Sequence, residues 1–425
     1  MSIMPKPFGS SVETGVDRRE ANARAIAGLT DSEPVLTGIR AAGEVIEGFE
    51  RNMVFTSGPT LPWDQYRGGQ RRAILGGVLY EGLASNEEEA EKLLAGGDIV
   101  VSTGHAHGCV GSLAGVTTWS MPVVVVEDGA SGGRGYCTLY EGDAVDRLNY
   151  GTYSSATQAN LTRLETEIAP LLDRLVQSRS SGIPLLPIMT KAAAMGDELH
   201  SRNTAATLLF IRECLDGFAD LTPAETRTVV EYFNSGDYLF LRLSMAASKV
   251  MADRMVGVPG SSVVTAMGFS CREFGIQVSA YPGRWFRGPL PTFEHQKIFP
   301  PHTAEDIEFM GGESVITEVC GLGANALAAA LPLQRSSGGS TKALVDMAHQ
   351  MYSITATEHP DVRIPVLDYR GSPLGIDVDK VVETGTTPLL DIGIAGRSGS
   401  QIGGGVARAP MEPFRAAREQ LDRDR

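Results

Sequence analysis

The 49 glycines of this 425-residue chain, set singly or in pairs between short apolar runs, constrain it more than any other feature. They keep no three-residue period, which excludes collagen; scattered glycine implies many tight turns and close backbone approaches. The apolar runs are short as well. None nears the roughly 20 residues that cross a bilayer, so a membrane-spanning helix is excluded. With 42% hydrophobic and 21% charged residues, the chain has the makings of an ordinary globular core, not of a fibre or a disordered polymer. Its length admits two or three domains at about 150 residues each.

Charge and cysteine usage narrow the function classes. Lys and Arg number 37 against 51 Asp and Glu, a net charge of −14, which argues against nonspecific binding to nucleic acid or anionic membrane. An anionic substrate therefore needs a local cluster of donors. Cys109, Cys137, Cys214, Cys271 and Cys320 are odd in number and never form CxxC, so a reduced, cytoplasmic setting without a zinc finger is expected. Residues 1–24 lack the apolar core of a secretion signal.

Residues 1–20 are polar and read as a mobile N-terminal arm. An N-terminal α/β lobe is expected over 21–155. It has helical spacing over 22–29 and around Ile39, Val45 and Ile46, and a loop at 57–63 imposed by Gly58, Pro59 and Pro62. A helix over 85–94 is stopped by Gly96-Gly97, and valine-rich strands are expected at 98–102 and 121–127. Residues 156–256 form a central helical segment. There 160–178 carries Leu161, Leu164, Ile168, Leu171, Leu172, Leu175 and Val176 on one stripe. Thr222-Pro223-Ala224-Glu225 is a capped helix start, and 245–256 is a helix ended by Gly257-Val258-Pro259-Gly260. A C-terminal α/β lobe over 257–425 should hold two strands in 260–279, a buried alanine-rich helix over 317–331, and strands around a turn over 364–379. The expected class is α+β and multi-domain: two mixed lobes around a helical centre.

Five segments carry chemistry-bearing residues. Gly104-His105-Ala106-His107-Gly108 follows a predicted strand. Histidines two apart on an extended chain face opposite ways, so they share a metal only in a loop. Flanked by glycine they suit a carbonyl or a proton in transit; a hydrogen-bonded loop histidine is the plainer alternative. In Met195-Gly196-Asp197-Glu198-Leu199-His200-Ser201-Arg202-Asn203, the acids can cap the helix that follows. Four ionisable side chains in seven residues exceed a cap's needs, however. Arg202 suits a carboxylate or phosphate, and Glu198 or His200 suits acid–base work. Ser261 and Ser262 follow Pro259-Gly260 without the lysine of a P-loop; they suit an anion or a simple turn. Glu318, in the apolar 312–323 stretch, is costly unless paired, and small residues there would let a helix start face an anion. Gln401 lies in the glycine loop 396–405 beside Arg397. No GxGxxG falls between strand and helix, so a Rossmann dinucleotide site is not expected. Cys109 and Cys137 read as small buried hydrophobes, not as nucleophiles.

Blocks of sequence add a resemblance. Tyr80-Glu81-Gly82, His105-Ala106-His107, Ser120-Met121-Pro122-Val123, Tyr136-Cys137-Thr138-Leu139-Tyr140-Glu141-Gly142 and the 195–203 block stand together with Leu243-Ser244-Met245-Ala246-Ala247 and Ser262-Val263-Val264-Thr265-Ala266-Met267. Trp285-Phe286, the 313–323 block, Pro373-Leu374-Gly375-Ile376-Asp377 and Gln401-Ile402-Gly403 complete the set. Over residues 21–417 the chain resembles a bacterial family of oxamate carbamoyltransferase subunits from anaerobic allantoin breakdown. It departs from that pattern in three places, at Thr56-Ser57-Gly58-Pro59-Thr60, Gly111-Ser112-Leu113 and Gly268-Phe269-Ser270-Cys271-Arg272. Retained blocks with altered loops are the mark of a divergent paralogue with another substrate.

The resemblance implies a transferase moving a carbamoyl group between an amide nitrogen, as in oxamate, and phosphate, within purine and nitrogen catabolism. It implies no cofactor and no metal, companion transferase subunits, and a homo-oligomer. On this reading His105 and His107 meet the carbonyl or the moving proton, with Glu198 and His200 beside them. Arg202 and Asn203 hold a carboxylate, Ser261, Ser262 and Gln401 meet phosphate, and Glu318 joins the substrate site. Two alternatives remain open. One is a hydrolase of amides, ureides or cyclic imides using His105, His107, Glu198 and His200 with a base or metal. The other is a non-catalytic subunit. The catalytic readings require these distant segments to meet in one cleft.

Overall fold

A computed structural model describes residues 17–143 and 146–424. Most of the expected arm thus lies outside the described residues. Its last residues open a helix, Arg18–Thr30, whose N-terminus is capped where the Asp17 carboxylate accepts from the Arg19 amide at 2.9 Å.

Short apolar runs produce five small sheets among the described residues. The largest is antiparallel, with Pro122–Asp128 between Arg134–Thr138 and Pro34–Ala41, and Ile183–Pro184 at the edge. Val123 to Val126 are all buried, because this strand is covered on both faces. Met53–Thr56 and Val100–Thr103 pair in parallel. Further on, Val264–Phe269, Phe274–Val278 and Phe286–Gly288 make one antiparallel sheet, and Thr292–Ile298, Gln401–Arg408 and Leu389–Ala395 another. Thr355–Ile364 pairs with Arg370–Ile376. The class is α+β, as expected.

The helix Leu239–Asp253 packs against the strands Pro122–Asp128 and Arg134–Thr138, and its residues from Leu239 to Ala252 are all buried. Burying a side chain such as Phe240 contributes about 2 kcal/mol. One apolar cluster includes Val124, Phe240 and Leu389, and so draws on all three expected segments.

Where local signals agree, expectation and structure agree. The 160–178 stripe is helical from Ser155 to Gln177, with a π-turn at Leu164–Ile168. At 222–225 the Glu225 amide donates to the Thr222 hydroxyl at 3.3 Å, and the Glu225 carboxylate accepts from the Thr222 amide at 2.7 Å. Such a box is worth about 1 kcal/mol. Three expectations need correction. Ile39 lies in the strand Pro34–Ala41 and only Ala42–Val45 is helical, since β-branched residues at 35, 37 and 39 suit a pleat. The helix expected at 245–256 begins at Leu239 and so includes Arg242. The alanine-rich helix over 317–331 is instead a turn, Ile316–Val319, and a 3₁₀ segment, Gly323–Ala329. Gly321 and Gly323 take φ of 77° and 54°, and the Glu318 carboxylate accepts the Ala324 amide at 3.2 Å. A side chain binding backbone in this way competes with the helix ladder.

Candidate active-site cavity

A cavity of about 630 Å³, counting its open mouth, forms where residues 140–141 and 147–150, the helix Leu239–Asp253, the 200–201 turn and the strand Leu389–Ala395 converge. Two arginines face it. Arg242 is buried by the apolar run Leu239-Phe240-Leu241, yet among the described residues its Nε and Nη1 have no hydrogen-bond partner. Arg147 stacks over the Tyr150 ring at 4.1 Å and donates Nη1 to the Gly142 carbonyl at 3.1 Å, while its Nε has no hydrogen-bond partner among the described residues. Buried donors left unpaired are expensive, and both arginines belong to the cavity lining. Glu141 does not neutralise them fully. Its carboxylate accepts the Leu148 and Asn149 amides at 2.6 and 3.0 Å, and burial pushes its pKa up.

His200 is the imidazole that lines the cavity. Glu198 positions it without entering the cavity: its carboxylate accepts the amides of His200, Ser201 and Arg202. Leu199 is thereby held at φ 70°, a conformation that bulky residues rarely adopt. The turn presents the His200 ring to Glu318, to whose carboxylate Nδ1 donates at 3.0 Å. Glu318 also accepts the Asp391 amide at 3.0 Å and the Thr317 hydroxyl at 2.8 Å, so a charge costly in apolar company is well held. Burial alone would lower the imidazole's pKa; the Glu318 charge reverses this and raises it. Asp391 lies fully buried behind this pair, its carboxyl pushed up to about 6 by burial. Glu198 is also shifted well upward, first by burial and then by Asp391. Gln401 completes the wall, accepting from the Tyr150 hydroxyl at 3.0 Å and donating to the Tyr238 hydroxyl at 3.2 Å.

The other nominated residues are held elsewhere. His105 is buried against Trp285, with ring centroids 5.5 Å apart, and lies 4.0 Å from Glu313. Neither of its ring nitrogens has a partner among the described residues, and burial and then Lys249 lower its pKa. His107 stacks on Phe55 at 4.4 Å and meets the Ser102 hydroxyl at 3.2 Å. The 3₁₀ turn Gly104–His107 thus gives its two imidazoles different neighbours, and neither lines the cavity. Arg202 donates Nε to the Gly196 carbonyl at 3.0 Å and pairs with Asp197 at 3.4 Å; it is tied to its own loop. Asn203 donates to the His200 carbonyl at 2.7 Å, bracing the turn. Ser261 and Ser262 bind Asn22, and Ser262 donates to Asp377 at 2.7 Å, which anchors the first helix to the C-terminal sheets. Of the ten nominated side chains, His200 and Gln401 line the cavity, and Glu318 and Glu198 support it from behind.

Arg147, Arg242, Asn149 and Asp391 escaped the sequence reading. A signal existed for two of them: an ionisable residue inside an apolar run, as in Leu241-Arg242-Leu243 and Leu390-Asp391-Ile392. All five cysteines are buried and unbonded, and burial raises the Cys109 and Cys137 thiols, which disfavours a thiolate nucleophile. No helix among the described residues is long and apolar enough to cross a membrane.

Comparison with known proteins places this architecture. The family described as oxamate carbamoyltransferase subunit AllG matches residues 99–314, a stretch that contains Arg147, His200 and Arg242. The oxamate carbamoyltransferase subunit AllG of Escherichia coli K12 is 32% identical over 408 residues, covering 95% of this chain and 97% of that protein. This chain belongs to the AllG family. Another relative, the uncharacterized protein YahG of Escherichia coli K12, is 34% identical over 405 residues, 93% of this chain and 84% of that protein. A crystal structure of a conserved protein of unknown function from Enterococcus faecalis V583 superposes with a TM-score of 0.92 at 31% identity, covering 96% of this chain and 98% of that one. AllG-family membership thus extends along nearly the whole chain.

Proposed function

We propose that this AllG-family chain handles the carbamoyl group in an oxamate-carbamoyltransferase-type reaction, with the cavity as its site. One observation carries the reading. Unpaired, buried guanidinium donors of Arg147 and Arg242 border the same cavity as an imidazole charged by Glu318. A carbamoylated amide acid fits that division: its carboxylate on the arginines, its scissile C–N bond at His200. In phosphorolysis a phosphate oxygen bonds to the carbamoyl carbon and the C–N bond breaks. The phosphate hydroxyl proton is lost as the departing nitrogen gains one, and His200 is suited to pass it. Positioning and fixed donors supply the acceleration.

The relative named as an oxamate carbamoyltransferase subunit supports an assembly in which companion subunits complete the site. The test is phosphate-dependent cleavage of carbamoyl-oxamate to carbamoyl phosphate, assayed with the purified chain alone and with its companion subunits. Cleavage that requires phosphate and is lost in Arg242→Met supports the proposal. Ammonia release independent of phosphate would instead favour the hydrolase.

A further inference from the structure

Part of the cavity lining offers no polar side chain to a carboxylate, a phosphate or an amide. Leu113, Phe269, Gly311 and Gly312 form a continuous apolar stretch. It is locked by paired backbone bonds: the Phe269 amide donates to the Gly312 carbonyl at 3.0 Å, and the Gly312 amide to the Phe269 carbonyl at 2.9 Å. A Cβ on Gly312 would come within 2.7 Å of the Phe269 ring, so only glycine lets the ring lie flat there. Phe269 is held further by Phe309, edge to face at 5.8 Å. Leu113, partly exposed to the cavity, sits at φ 53° and packs on Tyr150 and Met310. A bulky residue in that backbone region costs about 1–3 kcal/mol and persists where surrounding structure enforces it.

A site for a two-carbon amide acid needs no such wall. Building on the function proposed above, we infer that the acid handled here carries an apolar body, a branched alkyl or aryl group, seated on Leu113, Phe269 and Gly312. The substrate class is therefore an apolar ureido or amide acid: carboxylate on the arginines, carbamoyl nitrogen at His200, side chain on the apolar wall.

Calorimetric titration of the full chain with carbamoylglycine, carbamoyl-leucine and oxamate tests this. Burial of an isobutyl group on the wall should make carbamoyl-leucine bind at least about tenfold tighter than carbamoylglycine. Phe269→Ser should bring that ratio towards one. Leu113→Ser, at a partly exposed position, tests the same ratio should the first variant fold poorly. Equal affinities for the two ureido acids, or a ratio that survives both substitutions, overturn the inference. If oxamate or carbamoylglycine still binds and Arg242→Met abolishes that binding, the proposed function stands while the apolar acid falls. If none of the three acids binds, both fall.

Discussion

His105 approaches Glu313 at 4.0 Å, and His200 meets Glu318 at 3.0 Å. Both carboxylates come from one glycine-rich segment, and all four side chains are buried. Their partners separate them. Glu313 accepts the Gly58 and Gly111 amides at 3.0 Å each and the Thr103 hydroxyl at 3.2 Å, so it ties three loops together. Burial outweighs those donors and pushes its carboxyl up to about 8, leaving little charge for His105 at neutral pH. Glu318 has His200 as an immediate partner and raises its pKa. The lesson is that burial of a histidine–glutamate pair does not define chemistry. What sets the His200 pair apart is an open space beside the ring, together with a carboxylate in direct contact with it.

The largest expected effect tests the cavity half of this contrast. Arg242→Met should lower kcat/KM about 100- to 1000-fold through loss of charge-assisted hydrogen bonds to the substrate. Its melting temperature should hold within a few degrees, because removing two buried nitrogens without hydrogen-bond partners offsets the lost attraction to Glu141. Unchanged steady-state kinetics would move the anion site away from the cavity.

Glu318→Gln comes next, with a loss of about 10- to 100-fold in kcat at neutral pH and an activity optimum displaced to lower pH. The displacement follows from losing the charge that raises the His200 pKa. The wild-type pair stabilises the fold fully below the unfolded histidine pKa of about 6.5, and that contribution disappears as pH rises through the raised folded value. The melting-temperature gap between wild type and variant should accordingly narrow as pH rises. A constant gap would remove His200 protonation from the account.

These two variants also mark where the sequence was readable. Capped and striped helices such as 160–178 and 223–233 were legible because cap, periodicity and burial agree locally. The turn at 198–203 was legible as a cluster, since four ionisable groups there exceed a cap's need. Its division of labour was not: Arg202 is consumed by Asp197 and Gly196, and only the folded turn reveals that. Arg147 and Arg242 were hidden because what marks them, buried guanidinium nitrogens without hydrogen-bond partners among the described residues, is a tertiary property. Two of the segments that depart from the family pattern, 111–113 and 268–272, supply Ser112, Leu113 and Phe269 to the lining. The expected convergence of His105 and Ser261 on the cavity does not occur, because Ser261 is bound to Asn22 and His105 is packed against Trp285.

On the sealed side, Glu313→Gln should alter pH-dependent stability and leave kcat within about threefold. A carboxyl whose folded pKa is raised to about 8 contributes stability that declines as pH rises from its unfolded value towards 8. Denaturant titrations at pH 6 and pH 8.5 should therefore differ less for the variant than for wild type. An equal or steeper dependence would place the proton elsewhere. The smallest effect is expected at Arg202→Lys: substrate KM within about twofold, with about 1 kcal/mol of stability lost, since lysine keeps the charge beside buried Asp197 and loses the Nε bond to Gly196. A large KM change would return Arg202 to the substrate.

Because Glu198 gathers three successive amides into one turn, the aim of the His200 ring is fixed before any ligand arrives. The apolar wall is anchored separately, through Phe269 and Gly312. Selectivity can therefore drift by exchange of wall residues while the proton-handling turn stays untouched, a division of parts that would let one scaffold serve successive acids.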